Sequence, residues 1–162
     1  GVDIALRTFH LLDDSVKTDK LISDGSPVKL GDIIAKVNGK TKTILKGERT
    51  SLNIMCHASG VATAANKLVK AAAKGGHARV VDTRKTLPGL RALQKYAVTV
   101  CGGKNQRFNL SDAAMLKDNH IDAYGGITAA VNALREKHWY VICLCCDNHL
   151  FSLLRQELCP VP

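Results

Sequence analysis

Between residues 48 and 145 the apolar residues change their spacing repeatedly, reading in order as helix, strand, helix, turn, helix, strand-like segment, helix and strand. Such alternation favours an α/β layer or barrel over an all-helical bundle, because helices must cover the faces of a mostly parallel sheet. The strands number only two or three. A closed barrel needs about eight, and a short parallel sheet standing alone leaves its edges uncovered. On physical grounds the chain reads as part of a larger α/β fold.

The longest helix is expected over Gly47–Lys74. Leu52, Met55, Ala58, Val61, Ala65, Leu68 and Ala72 recur there at three- and four-residue steps, and Gly75-Gly76 ends the run. Pro88 to about Val98 reads as a second helix with Pro88 early in it, broken by Cys101-Gly102-Gly103. Ser111 opens a short helical run into Met115 and Leu116. Gly125-Gly126 leads a further helix from Ile127 to Lys137, and Trp139 to Cys145 is apolar and strand-like. Upstream, Ile4, Ala5, Phe9, Leu11 and Leu12 predict a short helix stopped at Asp13-Asp14. Ile33 to Val37, the Asn38-Gly39 turn and Thr41 to Leu45 read as a hairpin. That stretch resembles the hairpins of biotinyl and lipoyl carriers. The tip lysine of such carriers is missing, which sets the carrier reading aside.

Functional residues concentrate in 80–120. Val80 and Val81 are expected to form a short buried strand running into Asp82-Thr83-Arg84-Lys85-Thr86, and polar residues just past a parallel strand's carboxyl end usually face a ligand. Gly102-Gly103 is expected to bring backbone amides close to whatever lies beside Lys104 to Arg107. Leu-Lys-Asp-Asn-His follows at 116–120. Arg49, in the first turn of the long helix, read alone is a solvated arginine.

Composition narrows the partners. The formal charge of +9 favours an anionic partner, while an aromatic content of 4% argues against base-stacking platforms. No basic run resembles a nucleic-acid-binding arm, and no apolar run reaches the roughly 20 residues that span a bilayer. The six cysteines lack paired zinc spacing, and nothing at the amino end resembles a signal peptide, so a reducing cytoplasm is expected.

Six ordered blocks carry a resemblance: G-E-R-T-S-L-N at 47–53, S-G-V-A-T at 59–63, D-T-R-K-T-L-P-G-L-R at 82–91, K-Y-A-V at 95–98, G-G-K-N-Q-R at 102–107 and L-K-D-N-H-I at 116–121. Over about residues 1–138 the chain resembles quinolinate phosphoribosyltransferase, the carboxylating nicotinate-nucleotide pyrophosphorylase of NAD synthesis. The resemblance implies an incomplete α/β barrel, its first third, preceded by part of an α+β amino-terminal domain. Residues 1–47 would be that partial domain, 48–138 the opening of the barrel and 139–162 a divergent carboxyl end. It further implies a cytoplasmic enzyme, a homodimer or larger homo-oligomer without nucleic-acid or membrane partners. Its substrates would be quinolinate and phosphoribosyl pyrophosphate, and its cofactor Mg2+.

Two anionic substrates must be held together against their mutual repulsion, which requires several fixed cations. By resemblance, Arg84, Lys85 and Thr86 bind quinolinate or the phosphate near it. Arg107 and Lys117 complete the basic pocket, Gln106 adds a hydrogen bond, and Arg49 reaches in from the neighbouring subunit. Arg84, Lys85 and Lys117 are the implied catalytic cations.

The departures are informative too. Gln106 stands where the family usually has histidine, Cys101 replaces a common glycine and Leu87 a common threonine. The later E-V-E and L-D-N strands and the glycine-rich phosphate segment have no counterpart, so the acidic groups that manage magnesium and ribose are absent from this sequence. Cys143, Cys145, Cys146 and His149 form poor tetrahedral spacing for a metal. Two other classes stand beside the enzyme: a catalytically silent homologue that binds anionic ligands or a full-length partner subunit, and, more weakly, a basic nucleic-acid binder.

Overall fold

The computed structural model describes residues 1–137 and 142–144. They fall into two compact units, Gly1–Gln106 and a second that begins at Arg107.

In the first unit, helix α1 (Val2–Leu12) buries Val2, Ala5, Leu6 and Phe9, an i, i+3, i+4, i+7 stripe. It ends at Asp13, whose backbone is extended and whose carboxylate accepts hydrogen bonds from the Ser15 amide at 3.0 Å and the Ser15 hydroxyl at 2.6 Å. Strand β1 (Lys17–Lys20) pairs antiparallel with β2 (Ala35–Asn38), Lys17 facing Asn38 and Lys20 facing Ala35. The hairpin expected over 33–45 is thus only half right. Its first arm is β2, but that arm pairs backwards with β1, and its second arm opens helix α2 (Thr41–Lys74).

Thr41, Thr43 and Ile44 have β-forming side chains, yet packing overrides that preference. Thr43, Gly47, Ser51, Ala58 and Ala65 form the buried line of α2, and α1 lies against its first turns. Gly47 permits the approach, since a Cβ there would come within 2.8 Å of Phe9 Cδ1 and 3.1 Å of Leu12 Cδ1. Further along α2, helix α3 (Arg91–Thr99) inserts Leu93 and Ala97 beside Ala58, flanked by Ile54, Val61, Ala62 and Leu90. The helix expected from Pro88 starts three residues later, after Gly89 at φ +74, a conformation no helix contains.

The buried strand expected at 80–86 is reduced to a single parallel bridge between Val81 and Lys104, and Val81 is 52% exposed. The Asp82 amide donates to Lys104 O at 3.0 Å and the Lys104 amide to Val80 O at 2.9 Å. Among the described residues no further strand covers this pair, and Val81 stays exposed while Val80 is half-buried.

In the second unit, strand β3 (Ala114–Leu116) is followed by helices α4 (Asp118–Ala123) and α5 (Ile127–Glu136) and by strand β4 (Ile142–Leu144). β3 and β4 are parallel, Ala114 facing Ile142 and Leu116 facing Leu144. This is one β-α-β unit, the connection that parallel pairing requires. Leu116, Ala130 and Val131 form its core with Ile127 and Leu134. The helical run expected from Ser111 into Leu116 is corrected to turn and strand. Asp112 Oδ2 accepts from the Phe108 amide at 2.6 Å and closes the turn, and three apolar residues are too few to show a period.

Candidate functional site

The site is built from two short segments laid side by side, 80–82 and 104–106. Asp82 is their hub. Its Oδ1 accepts from Lys95 Nζ at 2.7 Å and from the Gln106 amide at 2.8 Å. The Asn105 amide, turned so that its nitrogen faces the acceptors, donates to Asp82 Oδ2 at 2.7 Å and to Lys95 O at 3.0 Å. Lys95 Nζ also donates to Gln106 O at 3.0 Å. The pair is buried, with side-chain exposures of 2% for Lys95 and 7% for Asp82.

The loop after Asp82 is tied to α3. Arg91 Nε donates to Thr86 Oγ1 at 3.1 Å, the Leu87 amide to Gln94 Oε1 at 3.0 Å and the Lys85 amide to Thr83 Oγ1 at 3.1 Å. Gln94 also meets His57 Nε2 on α2 at 3.0 Å. Arg84 is half-buried, and its Nε is buried with no hydrogen-bond partner among the described residues. An unpaired buried guanidinium nitrogen carries a desolvation cost that an anionic ligand would offset. Lys85 is exposed.

The amides of Gly102 and Gly103 are taken up by the chain's own carbonyls. They donate to Thr99 O and Val98 O, each at 3.1 Å, and so close the carboxyl end of α3. The approach is close enough that a Cβ on Gly103 would meet Val98 Cγ1 at 2.5 Å.

Arg49 is exposed on α2 and makes no ion pair among the described residues. In the second unit Arg107 donates from Nη1 to Ala113 O at 3.0 Å and from Nη2 to Met115 Sδ at 3.3 Å, and its Nε is buried without a partner among the described residues. Lys117 is exposed at the entry of α4, its amide donating to His120 Nδ1 at 3.1 Å.

Away from these cations, Asp24 ties distant parts of the first unit together, accepting from the Val2 amide at 3.0 Å and the Tyr96 hydroxyl at 2.7 Å. Tyr96, hydrogen-bonded to that carboxylate and partly desolvated, is pushed up to about 12.

A family model described as the quinolinate phosphoribosyl transferase amino-terminal domain matches residues 1–59, and the carboxyl-terminal domain model of the same family matches residues 61–148. The chain belongs to the quinolinate phosphoribosyl transferase family. It is 44% identical over 137 residues to the nicotinate-nucleotide pyrophosphorylase [carboxylating] of Mycobacterium leprae, covering 83% of this chain and 48% of that protein. Against quinolinate phosphoribosyltransferase [decarboxylating] 1 of Nicotiana glauca the identity is 45% over 135 residues, covering 83% of this chain and 37% of that one. The fold superposes on the crystal structure of NadC from Streptococcus pyogenes with a TM-score of 0.82 at 40% identity, covering 89% of this chain and 51% of that one. The chain thus spans about half the length of the quinolinate phosphoribosyl transferases it matches, or less.

Within that family frame, the sequence singled out the cations and missed their supports. Asp82, Lys95, Asn105, Arg91 and Gln94 received no role, although all but Gln94 lie inside the blocks that carried the resemblance. The cysteine-rich stretch proposed and set aside as a metal site lies outside the described residues, apart from the β4 backbone. Among the described residues no group of three or more His, Cys, Asp or Glu is placed to hold a metal ion, so this part of the chain does not fit a protein-held magnesium site. No described helix is long and apolar enough to cross a membrane.

Proposed function

We propose that the chain carries the quinolinate-binding portion of a quinolinate phosphoribosyltransferase. The reaction would join phosphoribosyl pyrophosphate and quinolinate into nicotinate mononucleotide, carbon dioxide and pyrophosphate, in NAD biosynthesis. The observation that carries this reading is Arg84, whose buried Nε has no partner among the described residues and which sits in the loop pinned by Asp82 and Arg91.

In this reading Arg84, Lys85 and Thr86 hold a quinolinate carboxylate or the adjacent phosphate. Gln106 donates a hydrogen bond, and Arg107 and Lys117 add positive charge. The C–O bond from the ribose anomeric carbon to pyrophosphate breaks, leaving an oxocarbenium-like ribose. The pyridine nitrogen forms the new C–N bond. The 2-carboxylate then leaves as carbon dioxide, its C–C electrons staying on ring carbon 2, where a proton from solvent takes its place and the nitrogen remains the pyridinium of nicotinate mononucleotide. The protein's part is positioning and charge stabilisation. Magnesium, in this reading, would arrive with the pyrophosphate and supply positive charge against it.

The proposal extends to architecture. Residues 1–47 belong to a partial α+β domain, 48–138 to the opening of an incomplete α/β barrel and 139–162 to a divergent end. The assembly is a cytoplasmic homodimer in which Arg49 serves the neighbouring subunit. A second reading, a silent homologue that binds anions without transfer, is favoured by the lack of a metal-holding acidic cluster among the described residues.

Quinolinate titration of the parent and of Arg84→Ala tests the site. The parent is expected to bind and the variant to lose detectable binding while keeping its thermal midpoint, because a charge-assisted contact in a shielded pocket is removed. Equal affinity of the two removes Arg84 from the site. An assay for nicotinate mononucleotide then separates the enzyme from the silent binder.

A further inference from the structure

We infer that the buried Asp82–Lys95 pair is a positioning clamp that locks the backbone N–H and C=O of Gln106 against the 80–82 segment, and so holds the Arg84–Thr86 loop and Gln106 in one fixed geometry. The inference rests on the proposed quinolinate reading for its consequence, while its geometry stands independently.

Stability alone does not account for this pair. Lys95 is 2% exposed and Asp82 7%, so both charges have lost their water. A buried ion pair seldom stabilises more than apolar residues of the same shape, and losing one partner leaves the other charge uncompensated. What an apolar pair could not do is hold both backbone polar groups of one residue. The Gln106 amide donates to Asp82 Oδ1 at 2.8 Å, and Gln106 O accepts from Lys95 Nζ at 3.0 Å. The two members of the pair, bonded to each other at 2.7 Å, thus grip the same residue, one by its N–H and the other by its C=O.

Asn105 closes the ring by reaching Asp82 Oδ2 at 2.7 Å and Lys95 O at 3.0 Å. The backbone bonds from Asp82 N to Lys104 O and from Lys104 N to Val80 O set the register. Asp82 lies two residues before Arg84, and Lys95 lies on α3, which also holds Thr86 and Leu87 through Arg91 and Gln94. One buried pair therefore links the helix, the cationic loop and Gln106. Catalytic and binding groups lose function when displaced by about 1 Å, so a rigid support of this kind acts on affinity more than on folding.

The test uses the full 162-residue chain, with two readouts taken well below the thermal midpoint. In Lys95→Met the Gln106 amide is expected to exchange its hydrogen at least tenfold faster, and quinolinate affinity is expected to fall at least tenfold. Should that variant fail to fold, because Asp82 is left as a lone buried charge, the apolar pair Asp82→Leu/Lys95→Met restores neutrality and is read in the same way. A merely structural pair would lower the midpoint and leave the affinity of the folded molecules as in the parent. Parent-like exchange at Gln106, or parent-like affinity in a folded variant, overturns the clamp. If the parent itself shows no quinolinate binding, the functional reading fails, and the exchange rate of Gln106 alone decides the clamp.

Discussion

Tyr96 and Asp24 are 72 positions apart in the chain and 2.7 Å apart in the fold, and their link makes a pH-dependent prediction. The Tyr96 phenol is pushed up to about 12 first by its hydrogen bond to the Asp24 carboxylate and then by burial. A group whose folded value is raised contributes stability that is complete below the unfolded value of about 10 and is lost as pH rises through about 12. Ultraviolet titration of the folded chain should therefore show a phenolate step near 12, and Tyr96→Phe should remove that step. A single step near 10 in the parent would mean that the bond does not persist in solution. The same scale shows what the sequence could reveal. Cations such as Arg84 and Lys85 stand out in a linear reading because their charge is unusual after a valine pair. Lys95 does not, because its partner lies 13 residues away and only folding brings them together.

At the scale of elements, the long helix, α3 and α5 were legible because their apolar periods persist for several turns. The failures are short pieces. Thr41 to Leu45 has β-forming side chains but docks α1, and Ala114 to Leu116 has too few residues to display a period. Long-range packing decided both. Two glycines of α2 test that explanation. Gly47 is occluded by Phe9 and Leu12, whereas a Cβ on Gly60 would meet nothing within 4 Å. Gly47→Ala should destabilise the chain by about 1–3 kcal/mol through overpacking. Gly60→Ala should stabilise it by about 0.5–1 kcal/mol through helix propensity. Denaturant unfolding of both variants measures the difference, and a stabilising Gly47→Ala would show that α1 does not lie on α2 as described.

At the scale of the molecule, the sequence blocks disclosed the family because their order and gaps are specific, whereas the proposed meeting of the cations calls for a second subunit. Arg49, exposed on α2, and Lys117, exposed at the start of α4, are proposed to serve the same site from different subunits. Arg49→Ala and Lys117→Ala should each abolish quinolinate binding alone. Mixed under conditions of subunit exchange, they should recover about one site per heterodimer, because one of its two sites then holds both wild-type residues. Exchange without recovered binding would end the shared-site proposal.

Transfer demands more than binding. After Ile121 the described residues offer only Asp122 and Glu136 as carboxylates, and neither belongs to a cluster placed to hold a metal ion. Developing positive charge on the ribose and negative charge on the departing pyrophosphate both need fixed counter-charges, and removing such groups typically costs orders of magnitude in rate. Binding and turnover should therefore separate in this 162-residue stretch: quinolinate is retained weakly, and no nicotinate mononucleotide forms above background. The open bridge at Val81 and the two-stranded β3–β4 sheet leave strand edges unpaired among the described residues, so the stretch should also associate in solution, which light scattering would register. Joining it to a family-like carboxyl half with E-V-E and L-D-N strands should close those edges and restore transfer. Robust magnesium-dependent turnover by a monomeric 162-residue chain would overturn this division and assign the missing counter-charges to carboxylates already within it.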